Sequence, residues 1–218
     1  MDKNIKIILA LMSLVVLGAI IISISLLWQK RRKKGIIETG KSLGFRNLGA
    51  GEKMPVVFVP LIDRADRKYF IILRGLLNGY EAAYFDLVVQ AGKDWFYQSV
   101  VMVKNPKVDI PMFQLKAKPW MTQSLTQKTC GEALEVPNRE KDMGVLQLSS
   151  KDPQWAMQTI SGASPQFFQK LQKGHWTIEG FQHSLFIYSW GRTIYPGEMR
   201  DFVREAGEIA QELYSLCS

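Results

Sequence analysis

The chain opens on an unbroken apolar run, Ile7 to Trp28 (IILALMSLVVLGAIIISISLLW), twenty-two residues without a charge. As a helix rising 1.5 Å per residue it extends about 33 Å, enough to cross a hydrocarbon core of about 30 Å, and a transmembrane helix over 7–28 is predicted. The pattern then changes period. Tyr69–Leu77 and Tyr80–Gln90 are rich in aromatic and β-branched residues and meet at Asn78-Gly79, the dipeptide favoured in two-residue hairpin turns, so both are predicted strands of one hairpin. WFYQSVVMVKN (95–105), MFQLKAK (112–118) and GVLQLSS (144–150) extend the strand series, and PVVFVPLI (55–62) adds a strand that Pro60 confines to an edge. Residues 119–142 are polar and mixed and predict an irregular excursion.

Towards the C-terminus the types mix. Asp152-Pro153 offers a helix cap and a first helical position, yet Trp155, Met157 and Thr159 alternate as a strand would. Ser164-Pro165 and Gly174 bracket a short helix, and WTIEGFQHSLFIYSW (176–190) folds back on itself around Gly180–Ser184. The closing segment, Pro196–Leu216, carries Phe202, Ala206, Ile209, Leu213 and Leu216 at spacings of four and three, with Arg200, Arg204, Glu208 and Glu212 on the opposite face. The predicted fold is α+β: an N-terminal transmembrane helix followed by a mainly antiparallel, curved β-sheet packed against a C-terminal helix. Four segments follow: a short extracytoplasmic N-terminus (1–6), the span (7–28), a basic juxtamembrane segment with a short helix and linker (29–54), and an α+β domain (55–218).

Charge sharpens this division. The net charge of +8 is concentrated at the start, because residues 1–34 hold seven Lys/Arg and one acid, leaving the remainder at only +2. A near-neutral domain lacks the basic face that nucleic acid requires, so no nucleic-acid partner is expected. Lys30, Arg31, Arg32, Lys33 and Lys34 follow the span directly and, by the positive-inside rule, place the domain in the cytoplasm of a bacterial inner-membrane protein, with Trp28 as an aromatic anchor at headgroup level. A cleaved signal peptide fits less well, since its apolar region is usually shorter and is followed by small residues. The basic run also predicts attraction to anionic phospholipids, worth about 1 kcal/mol per base near a charged surface. The two cysteines, Cys130 and Cys217, form no disulfide framework.

One motif match is rejected. GIIETGKS (35–42) fits the phosphate-loop pattern, but such a loop needs a buried strand before it, and here a polar, basic stretch follows the span. Ile36, Ile37, Gly40, Leu43 and Gly44 instead share one side of a short amphipathic helix. His175, Glu179 and His183 are spaced by four, but in a β-rich stretch they diverge, so no metal or other cofactor is expected. Asp63 and Asp66 sit in a self-compensating turn with Arg64, Arg67 and Lys68. Arg74, within an apolar strand, needs a partner, and Glu81 or Asp86 on the next strand supplies it as a structural pair or as part of an anionic-ligand site.

The order of features resembles uncharacterised bacterial single-pass inner-membrane proteins with a cytoplasmic α+β domain. The likeness rests on Leu43-Gly44-Phe45, then Arg74-Gly75, Gly79 and Tyr84-Phe85-Asp86, the strand QSVVMV, IPMFQL (110–115) and a closing helix after a hairpin, and covers most of residues 36–214. It implies a strand rather than a helix at Trp155–Ile160, and no activity. The expected function is non-enzymatic: a membrane-tethered binding or scaffolding domain acting on an unidentified membrane or cytoplasmic protein. The alternatives are an enzyme using carboxylates such as Glu81 and Asp86, or a module that binds anionic lipid headgroups.

Overall fold

The computed structural model describes residues 3–48, 68–91, 94–117, 133–136 and 146–217. The strand expected at 55–62, the turn carrying Asp63 and Asp66, and Cys130 lie outside the described residues. Helix α1 runs without a break from Lys3 to Ser42 and so unites what the sequence divides into a span, a basic segment and a short helix. Its N-terminal part has the length and apolarity to cross a bilayer, and from Met12 to Trp28 it is almost wholly exposed. A signal sequence near an N-terminus can share this length and apolarity. The helix ends where predicted: Gly44 takes φ +83°, the Phe45 N–H donates to the Gly40 carbonyl and the Gly44 N–H to the Lys41 carbonyl, closing the last turn.

The described strands form one antiparallel sheet in the order β1-β2-β3-β4-β9-β8-β5-β7-β6, where β1 is Arg46–Asn47, β2 Lys68–Leu77, β3 Tyr80–Ala91, β4 Asp94–Lys104, β5 Ile110–Ala117, β6 Ala133–Val136, β7 Leu146–Ser150, β8 Trp176–Gln182 and β9 Ser184–Ser189. The β2–β3 hairpin turns on Asn78 and Gly79 with φ of +51° and +83°, the left-handed pair that matches strand twist. The predicted irregular excursion contains β6, a short strand that pairs with β7.

Between β7 and β8 lie α2 (Pro153–Ser161) and α3 (Pro165–Lys173), and α4 (Met199–Leu216) closes the chain. The strand expected at Trp155–Ile160 is a helix. Asp152 caps it by accepting from the Trp155 N–H at 3.0 Å, and its buried positions are Ala156, Thr159 and Ile160, a helical spacing. The alternation of Trp155, Met157 and Thr159 is incidental, because the small Ala156 carries the inward face.

All four helices meet one face of the sheet. Strand residues such as Leu73, Tyr84, Val101, Leu115, Ile178 and Ile187 meet Ile36 of α1, Phe167 and Leu171 of α3, and Phe202, Ala206, Ile209 and Leu213 of α4 in one buried cluster. Each fully buried side chain of this size contributes about 1.5–3 kcal/mol. Two contacts fix α4: the Phe202 ring stacks on Trp176 with centroids 4.9 Å apart, and the Tyr214 hydroxyl donates to the Val103 carbonyl at 2.7 Å. On the opposite face Phe85, Leu87, Val100, Met102, Phe186 and Tyr188 form a second buried cluster.

Candidate functional site

The candidate site lies where α1 meets the sheet, and its chemistry begins with Arg32. That residue lies four positions before Ile36 and eight before Gly40, so the helix turns it towards the sheet with them. Its guanidinium donates through Nη1 to Asp86 Oδ2 at 2.7 Å, and through Nε and Nη2 to the Ile194 carbonyl at 2.9 and 2.7 Å. Asp86 is delivered by β3 onto the same face as Tyr84, two residues earlier. Its Oδ1 accepts from the Tyr84 hydroxyl at 2.8 Å and from Ser99 Oγ of β4 at 2.6 Å. The Ile194 N–H donates to Ser99 Oγ at 2.9 Å, which ties the loop before α4 into the same network.

This node is nearly dry, the Arg32 and Asp86 side chains being 18% and 6% exposed. A buried ion pair offsets its desolvation better when its remaining donors and acceptors also find partners, and here Arg32 Nε and Nη2 reach the Ile194 carbonyl while Asp86 Oδ1 accepts twice. Burial, followed by the Asp86 charge, pushes the Tyr84 hydroxyl far above the ordinary tyrosine range. Tyr84 is therefore held as a neutral donor. The arrangement is suited to fastening the emerging helix to the domain.

Beside the node opens a cleft of about 280 Å³. Leu26, Lys30 and Lys33 of α1 form one wall, and Ile71, Tyr97 and Thr193 contribute from the domain. Tyr97 is half exposed.

The other singled-out residues are dispersed. Arg74 pairs with Glu81 at the partly exposed end of the first hairpin, whereas Asp86 takes Arg32. Glu81 and Asp86 are five residues apart on one strand and so point to opposite faces, and these two carboxylates do not converge. Glu179 is buried in β8, accepting from Gln114 Nε2 at 2.8 Å and from the Tyr188 hydroxyl at 2.6 Å. His183 instead donates through Nδ1 to the Val108 carbonyl at 2.8 Å, and His175 is exposed in the turn before β8. No group of three or more metal-ligating side chains occurs among the described residues. GIIETGKS is helical throughout, with Ile36 fully buried.

Lys30, Arg31, Lys33 and Lys34 are exposed where α1 leaves its apolar stretch, and Trp28 is 62% exposed. Sequence reasoning assigned Arg32 to the basic run and missed its inward role. The available signal was its place in the Ile36–Gly40 stripe. It also missed Ser99, which nothing in an apolar strand distinguishes.

No family model matches the chain, and no curated protein matches it in sequence. Among solved structures, the fold is similar to that of the mycobacterial trehalose monomycolate transport factor A, TtfA. The TM-score is 0.53 and the identity 13%, over 86% of this chain and 95% of that one. At this identity the likeness extends to the fold alone.

Proposed function

We propose that this chain is a single-pass inner-membrane protein whose α+β domain is a non-enzymatic binding or scaffolding module, held on the cytoplasmic face by its own transmembrane helix. The observation that carries the reading is the continuity of α1. One helix includes the apolar run and, beyond its end at Trp28, contributes Arg32, Ile36 and Gly40 to the interior of the domain. A segment removed as a leader has no reason to be built rigidly into the core that follows it. The five bases at the exit support the cytoplasmic placement of the domain.

Anchoring concentrates the domain with other membrane-bound partners without requiring strong contacts of its own. The fold likeness to a protein described as a transport factor fits a role assisting a membrane process through binding, and no cargo is carried over from it. Two C-terminal fusions test the placement. A fluorescent protein that matures only in the cytoplasm should be bright, and alkaline phosphatase, active only outside, should be silent. The opposite pair of results would reverse the orientation.

A further inference from the structure

We infer that the cleft beside α1 is a binding site for the anionic headgroup of a phospholipid drawn from the leaflet that faces the domain. The inference rests on the membrane anchoring proposed above and adds a ligand to it. Its walls are amphipathic in the order a lipid requires. Leu26 belongs to the apolar stretch of α1, Lys30 and Lys33 follow at the next turns of the same helix, and Ile71, Tyr97 and Thr193 close the cleft from the domain. Residues 26, 30 and 33 share one helix face, so a molecule lying along α1 passes from hydrocarbon to ammonium groups within two turns.

The charges around the cleft are not equivalent. Arg32 and Asp86, which both line it, are committed to each other, and Arg32 also to the Ile194 carbonyl, while Lys34, outside the cleft, lies 3.8 Å from Glu38. Lys30 and Lys33 have no acidic partner among the described residues, and both are exposed. Two ammonium groups with no acidic partner among the described residues, beside a 280 Å³ cavity, match a phosphate and its glycerol. The cavity does not hold a whole diacyl lipid, so the acyl chains stay in the bilayer alongside Leu26. A phosphodiester there accepts from the lysines, while Tyr97 supplies an aromatic body at headgroup depth.

The experiment uses the full chain in nanodiscs of equimolar phosphatidylcholine and phosphatidylglycerol, released into mild detergent and weighed by native mass spectrometry to count retained lipid. Lys30→Gln/Lys33→Gln empties the cleft of free charge. Arg31→Gln/Lys34→Gln removes the same formal charge outside it. The inference predicts that the unaltered chain retains one phosphatidylglycerol, that retention falls by about tenfold in the first variant, and that it changes by less than about twofold in the second. Equal losses in the two variants would show a diffuse basic surface and overturn the site, as would equal retention of phosphatidylcholine. Carbonate washing of native membranes separates the two levels of failure. A chain that remains in the membrane but shows no selectivity contradicts the site alone, whereas a chain released by carbonate contradicts the anchor and the site together.

Discussion

Arg32 and Asp86 form a largely buried ion pair that ties α1 to the domain. Truncating either leaves the other charge in a site with little water. Arg32→Ala or Asp86→Ala should each cost about 2–4 kcal/mol in denaturation of the full chain in detergent, and the double variant should cost less than the sum by about 1–3 kcal/mol. Strict additivity would show that the pair is not coupled. A second residue-scale outcome concerns pH. Burial raises Tyr84, with Asp86 as the next cause, and burial raises Tyr214; both are neutral in the folded state well above the ordinary tyrosine value of about 10. In the unfolded chain they ionise near that value. Their contribution is therefore complete below about pH 10 and is lost as pH rises beyond it. Tyr84→Phe/Tyr214→Phe should be less stable at neutral pH, through lost hydrogen bonds, yet lose stability less steeply above about pH 10. An unchanged alkaline slope would contradict the assignment.

At the scale of elements, α1 approaches the sheet closely enough that side chains matter atom by atom. A Cβ on Gly40 would lie 2.4 Å from Leu73 Cδ1 and 3.3 Å from Met199 Cε, whereas one on Gly18 would meet nothing within 4 Å. Gly40→Val should destabilise by about 1–3 kcal/mol through overpacking, and Gly18→Val should stay within about 0.5 kcal/mol. Thermal unfolding of the two variants in the same detergent compares them directly. The same elements show what the sequence makes legible. The Asn78-Gly79 hairpin, the Ser164-Pro165 helix start and the α4 stripe were readable because a turn residue, a cap or a sustained period marked each one. At Trp155–Ile160 the residues left helix and strand open, since Trp155, Met157 and Thr159 alternate while Asp152-Pro153 offers a cap, and it was the resemblance that implied a strand where the capped helix forms. Losing that cap in Asp152→Ala should cost about 1 kcal/mol. The Arg32–Asp86 pairing was not readable, because it joins residues 54 apart in sequence and depends on α1 continuing through its basic run.

For the whole molecule, the decisive feature is that the helix carrying the apolar run also contributes, through Ile36, to the core of the domain. A flexible basic linker would let the domain turn freely beneath the bilayer, and a partner would then meet it in many poses. With α1 unbroken to Ser42, the cleft, the exposed bases and the sheet hold one orientation relative to the helix axis. Distance measurement between spin labels at Val16→Cys and Ser215→Cys, with Cys130→Ser and Cys217→Ser, in bilayer nanodiscs tests this most directly. Both labelled positions are exposed, one on the apolar stretch and the other on α4. A single narrow distance distribution, broadened when Asp86→Ala loosens the helix, is the predicted result. A broad or two-population distribution in the unaltered chain would contradict it.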